Sequence, residues 1–267
     1  MRRTSGRIAV IAILFVLGHG NARAATVTLF DGSLGTLPTA QGLTFCPGGF
    51  LCLGADGSEA VSFGGMNVDV QPEPMVGEAG RYGYPKFTTP LDRNTGVNLT
   101  FELQVHSENH ASENRSGFAV IIITQDLQAI ELGFWTEKIW AQNVGFTHGE
   151  ETDYLTGASL TTYSLEILGS GYSLFAAGGN APLLSGTLRD YSASGSLLFG
   201  FLDVYTLKNF LFLGDNTTSA QSNIALGDIT LTTLAAPLPS SIGLLLAACV
   251  SLFVSGRRAH GPAIRGG

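Results

Sequence analysis

From Val97 to Val105 the chain reads Val-Asn-Leu-Thr-Phe-Glu-Leu-Gln-Val, with apolar and polar residues alternating throughout. A period of two places Val97, Leu99, Phe101, Leu103 and Val105 on one face of a strand and predicts that this face is buried. Gly117 to Thr124 is apolar almost throughout and predicts a more fully buried strand. Strands are also predicted over Ala129 to Trp135, Thr162 to Leu168, Gly171 to Ala176, Ser196 to Val204, Phe210 to Leu213 and Asn223 to Thr232. Clusters of Gly, Asn, Asp and Pro separate them. No stretch sustains a helical period. The pattern predicts an all-β fold, a double-sheet sandwich of the jelly-roll kind in which pairing hides most strand edges.

The two ends break this pattern. Arg2, Arg3 and Arg7 precede an unbroken apolar run from Ile8 to Leu17, and Ala22-Arg23-Ala24 supplies small residues where a signal peptidase reads them. About ten apolar residues fall well short of the ~20 that span a bilayer as a helix, so residues 1–24 are expected to be a signal peptide cleaved after Ala24. At the other end Pro237-Leu238-Pro239 stiffens the chain, an apolar helix is predicted over 242–255, and Arg257 with Arg258 resists translocation. The polarity is body outside, tail inside. An apolar core of about 14 to 16 residues is marginal for a permanent span and suits a transient one.

This tail, residues 235–267, resembles a PEP-CTERM-type sorting signal in its Pro-Leu-Pro variant. The resemblance implies recognition of Pro237, Leu238, Pro239, Arg257 and Arg258 by an exosortase-type membrane transpeptidase, with only transient residence in the inner membrane. The chain is thus expected at the cell surface or in the extracellular matrix of a Gram-negative-type cell. The nine residues from Ala259 to Gly267 make the tail longer than is usual for that family. Pro72-Glu73-Pro74 has no apolar helix after it and is read as loop.

Between the ends lies one body, residues 25–234, of about 210 residues, without a linker or repeat to divide it. Seven of the 14 basic residues lie in the ends, whereas all 21 carboxylates lie in the body, which therefore carries a formal charge of 7 − 21, or −14. Such a surface repels phosphate backbones, and nucleic acid is excluded as a partner. The body also carries a resemblance of its own, on Asn114 to Ile121, Glu131 to Trp135, Ile139 to Gln142, Leu188 to Tyr191 and Phe212 to Ala220. It looks like a concanavalin A-like or laminin-G-like domain of the kind found with interchangeable surface-anchor tails. That resemblance implies fold and location and carries no catalytic residues.

Cys46 and Cys52 enclose Pro47-Gly48-Gly49, a tight bend, and a disulfide is expected there in an oxidising compartment. A ring so small stabilises by roughly 2 kcal/mol at most. Cys249 lies in the apolar tail and reads as a small hydrophobe. Glu131 and Glu137, six residues apart, would stand roughly 20 Å from each other on one straight strand. A glycosidase pair needs about 5 to 9.5 Å, so the body is not expected to be an enzyme. His106, Glu108 and His110 lack the helical zinc-protease order and read as a solvated turn. Hard oxygen ligands in the acidic segment ending at Asp153 and at Asp215-Asn216 favour calcium over zinc, and no other cofactor is expected.

Three function classes remain. The first is a structural protein associated with extracellular polysaccharide. The second is a lectin-like carbohydrate-binding module that stacks sugars on Trp135, Trp140 or Tyr191, with core packing as the competing role of each ring. The third, glycoside hydrolysis, is the least favoured.

Overall fold

The computed structural model describes residues 24–45, 68–69, 75–78, 81–84, 90–193, 204–217 and 219–233. Two antiparallel sheets pack face to face as a jelly-roll β-sandwich. The first sheet, A, contains β1 (Ala25–Phe30), β3 (Val68–Asp69), β4 (Met75–Glu78), β6 (Val97–His110), β11 (Thr161–Leu168), β12 (Gly171–Ala176), β13 (Leu184–Thr187) and β15 (Ala220–Thr233). The second, B, contains β2 (Thr44–Phe45), β5 (Arg81–Tyr84), β7 (Ala119–Ile123), β8 (Ala129–Phe134), β9 (Lys138–Gln142), β10 (His148–Asp153) and β14 (Phe210–Gly214). The order across A is β13-β12-β11-β6-β15-β4-β3 with β1 also on β15, and across B it is β10-β9-β8-β7-β14-β5-β2.

The alternation in β6 does what its period predicts. Val97, Leu99, Phe101, Leu103 and Val105 are all buried, and Phe101 stacks on Tyr163 of β11 at 5.4 Å. Across the sandwich it meets Phe134 of β8 edge-on at 5.9 Å. Edge contacts of this kind suit the ring quadrupole and join the two sheets at their centre. β6 and β15 form a long antiparallel seam, running from the His110 and Ala220 pair to the Val97 and Thr233 pair. Ala25 of β1 also pairs with Thr233, so the body begins and ends on neighbouring strands.

The outward faces of the two sheets differ. On sheet A the outward residues stay hydrated, and one row across it runs Thr26, Thr232, Asn98, Glu166, Ser173 and Ser185. On sheet B a second apolar layer of Ile121, Ile123, Ala129, Phe210, Phe212, Tyr191 and Tyr205 covers the face. Every residue of β7, β8 and β14 is therefore buried.

The turn expected at His106, Glu108 and His110 and the acidic segment ending at Asp153 both form strands. His106 to His110 completes β6, paired with β15, and the acidic segment from His148 to Asp153 is the edge strand β10. Neither alternates apolar and polar residues, because each runs past the core or along an edge, where backbone pairing does not require an apolar face. The strand expected over Ser196 to Val204 lies outside the described residues except for Val204, which opens a 3-10 turn. The signal run, Pro72-Glu73-Pro74, Cys46, Cys52 and the tail from 235 onward also lie outside them. Among the described residues no helix is long and apolar enough to cross a membrane.

Candidate functional site

At one end of sheet B the hairpin of β8 and β9 turns through Trp135, Thr136 and Glu137, closed by Trp135 N–H donating to Lys138 O at 2.9 Å. The chain leaving β10 folds back on this turn. Tyr154 N–H donates to Glu137 O and Thr156 N–H to Thr136 O, both at 3.0 Å. The Thr156 hydroxyl donates to Trp135 O at 2.5 Å. Between turn and returning chain lies an open hollow of about 600 Å³, lined by Trp135, Glu137, Lys138, Asp153, Tyr154 and Leu155.

Trp135 is held from behind. Its indole N–H donates to Arg115 O at 3.1 Å, and the His110 ring lies parallel on it at 4.2 Å. Trp140 meets it at 4.6 Å with the planes 62° apart, and His148 in turn stacks on Trp140 at 4.2 Å. His110 Nδ1 lies 2.6 Å from Glu108 Oε2, and His148 Nδ1 lies 2.9 Å from Glu151 Oε2. The stack needs Gly133, since a Cβ there would stand 2.5 Å from Trp140 Cζ2.

The charges of the hollow are unequal in their freedom. Lys138 is paired with Glu151 at 3.0 Å. The Glu151 carboxyl lies below its ordinary range because of its hydrogen bonds first to His148 and then to Lys138. Glu137 and Asp153 are exposed and, among the described residues, take part in no ion pair or side-chain hydrogen bond. The hollow thus joins indole and phenol rings, the exposed side chain of Leu155 and two free carboxylates. That set suits a ligand with an apolar ring face and a rim of hydroxyls.

Glu131 sits elsewhere. It points into the covered face of sheet B and is 2% exposed. Its Oε2 accepts from the Tyr205 hydroxyl at 2.5 Å, its Oε1 accepts from Asn216 Nδ2 at 2.8 Å, and Arg115 Nη1 stands 3.8 Å away. Burial first, and then the Glu131 charge, push the Tyr205 hydroxyl well above its ordinary range, so it stays a proton donor. This is a buried polar strut under the aromatic layer. Glu131 and Glu137 are not brought together.

Other sequence expectations are corrected here. Trp140 and Tyr191 are fully buried and present no stacking surface. The Trp140 N–H is used by Gln142 Oε1 at 3.1 Å, and the Tyr191 hydroxyl by Gln142 O. The two places where calcium is expected, at Asp153 and at Asp215, are separate. They lie on β10 and just past β14, four strand spacings apart across sheet B, or roughly 19 Å. Asp215 is itself buried and accepts from Thr217 N–H at 2.8 Å. Among the described residues no group of three or more metal-ligating side chains forms. Tyr154 and Leu155 went unrecognised in the sequence, having neither periodicity nor motif.

No family model and no curated protein matches the chain. Solved structures do resemble it. An endo-1,3-β-glucanase from Streptomyces sioyaensis is 14% identical with a TM-score of 0.48, over 81% of this chain and 98% of its own. A glycosidic hydrolase is 12% identical with a TM-score of 0.42, over 81% and 98%. A transglycosylase in complex with NAG is 10% identical with a TM-score of 0.44, over 81% and 86%. At such identities the likeness is one of fold alone. It nevertheless corrects the expectation that the body is not an enzyme: the architecture is shared with chains named as enzymes, and it gives no ground for excluding catalysis.

Proposed function

We propose that this chain is an exported, surface-sorted saccharide-binding protein that holds a sugar in the Trp135 hollow. The observation that carries the reading is the conjunction, in one open hollow, of Trp135 and Tyr154 with the free carboxylates of Glu137 and Asp153. Ring C–H faces pack against the aromatics, while hydroxyls donate to the carboxylates. The Ala22 and Ala24 cleavage site and the Pro237-Leu238-Pro239 tail with Arg257 and Arg258 support export and sorting through an exosortase-type transpeptidase. Delivery of this kind places the body beside extracellular polysaccharide.

The test is a glycan array probed with the full chain and with Trp135→Ala. Binding to a subset of oligosaccharides, weakened at least tenfold by the substitution, or about 1.4 kcal/mol, is expected. Equal binding by both proteins, or none by either, overturns the reading.

A second reading, glycoside cleavage, is favoured by the presence of both Glu137 and Asp153 in the lining of that same hollow, since cleavage of this class uses two carboxylates. Reducing ends released by the wild type and lost in Glu137→Gln or Asp153→Asn, with array binding kept, would establish it.

A further inference from the structure

The outward face of sheet A carries a second pattern, unrelated to the hollow. Beside the row that begins at Thr26 runs another in register, Thr28, Thr230, Thr100, Ser164 and Phe175. These two rows contain no Lys, Arg or His and a single carboxylate, Glu166. Hydroxyls and amides therefore form a grid of about 4.8 Å across strands and about 6.8 Å along them. Thr side chains are stiff at χ1, so little rotamer entropy is lost when a partner docks.

The hydroxyls are only partly engaged. Thr26 and Thr232 hydrogen-bond each other at 2.9 Å, and Ser164 donates to Asn98 Oδ1 at 2.9 Å. Each hydroxyl offers one donor and two acceptor sites, so capacity remains. A concavity of about 310 Å³ opens in this face, lined by Thr162, Ser164, Glu166 and the half-buried Phe175 among others.

We infer that the outward face of sheet A is a docking surface for a neutral, hydroxyl-rich polysaccharide laid across the strands, with Phe175 under a sugar ring. Charge selects the occupant. Two rows without Lys, Arg or His, on a body of charge −14, repel nucleic acid and acidic polymers. Protein interfaces concentrate aromatic residues, Met and Arg at their centre and are depleted in Ser, which this face contradicts. The surface is separate from the hollow, so the two stand or fall independently.

The test is retention of the full chain on insoluble cellulose, curdlan and starch, with alginate beads as the anionic comparison. Retention is expected on at least one neutral polymer and not on alginate. It should fall at least tenfold in the Thr100→Ala, Ser164→Ala, Thr230→Ala variant and in Phe175→Ala, and should persist in Trp135→Ala. Phe175→Ala alone carries the test if the triple variant does not fold, as judged by circular dichroism. No retention on any neutral polymer, equal retention on alginate, unchanged retention in the folded variants, or loss in Trp135→Ala overturns the inference.

Discussion

The two outward faces of the sandwich start from comparable strands and end as opposites. On sheet A the outward positions are mostly hydroxyls and amides, with Phe175 and Glu166 among them. On sheet B they are Ile121, Ile123, Phe210 and Phe212, capped by Tyr191 and Tyr205, with one carboxylate, Glu131, inside the layer. Burial changes what a polar side chain is worth. A hydroxyl on sheet A that loses its partner turns to water, whereas the buried Tyr205 hydroxyl beside Glu131 is screened from it.

That contrast is most easily broken at Glu131. Glu131→Ala should cost about 3 kcal/mol, because it removes the buried carboxylate that accepts from Tyr205 and from the partly buried Asn216 and faces Arg115. A urea midpoint close to the wild type would mean that the layer over sheet B is solvated after all. A smaller effect is expected from alkali. Burial first, and then the Glu131 charge, hold the Tyr191 and Tyr205 hydroxyls above their ordinary value of 10.0. With the folded value raised, the stability they contribute is complete below 10.0 and is lost as pH climbs through the folded values. Urea midpoints should therefore decline only above 10.0, and Tyr205→Phe should blunt the decline. The smallest change belongs to sheet A, where Thr230→Ala should move stability by no more than about 0.5 kcal/mol. A larger loss there would erase the distinction between the faces.

The same contrast explains what the sequence could convey. The β6 core positions were legible because their period is local and strict. The second layer on sheet B was not, since Glu131 meets Tyr205 and Asn216 from 74 and 85 residues away. Trp140 and Tyr191 were candidates for sugar stacking for the same reason: a ring in a strand looks alike whether it faces solvent or a second apolar layer. The sequence sets Glu137 beside Glu131 and offers Trp135 as a stacking ring, but the hollow that Glu137 and Trp135 share depends on Tyr154 and Leu155, brought back by the chain after β10. Nothing in the pattern of those two positions announces the return.

The pairing of Ala25 with Thr233 has a mechanical consequence. The described sandwich starts and ends on neighbouring strands, but unequal ones: among the described residues β1 is bonded to β15 alone, whereas β15 is bonded to β6, β4 and β1. Tension applied beyond Thr233 runs along β15 and loads its cross-strand bonds in shear, where many must yield together. Tension at Ala25 directed away from the sheet peels β1 one bond at a time. A load arriving from the C-terminal side thus falls on the longest described seam of the sandwich, and one from the N-terminal side on a strand whose loss leaves that seam closed.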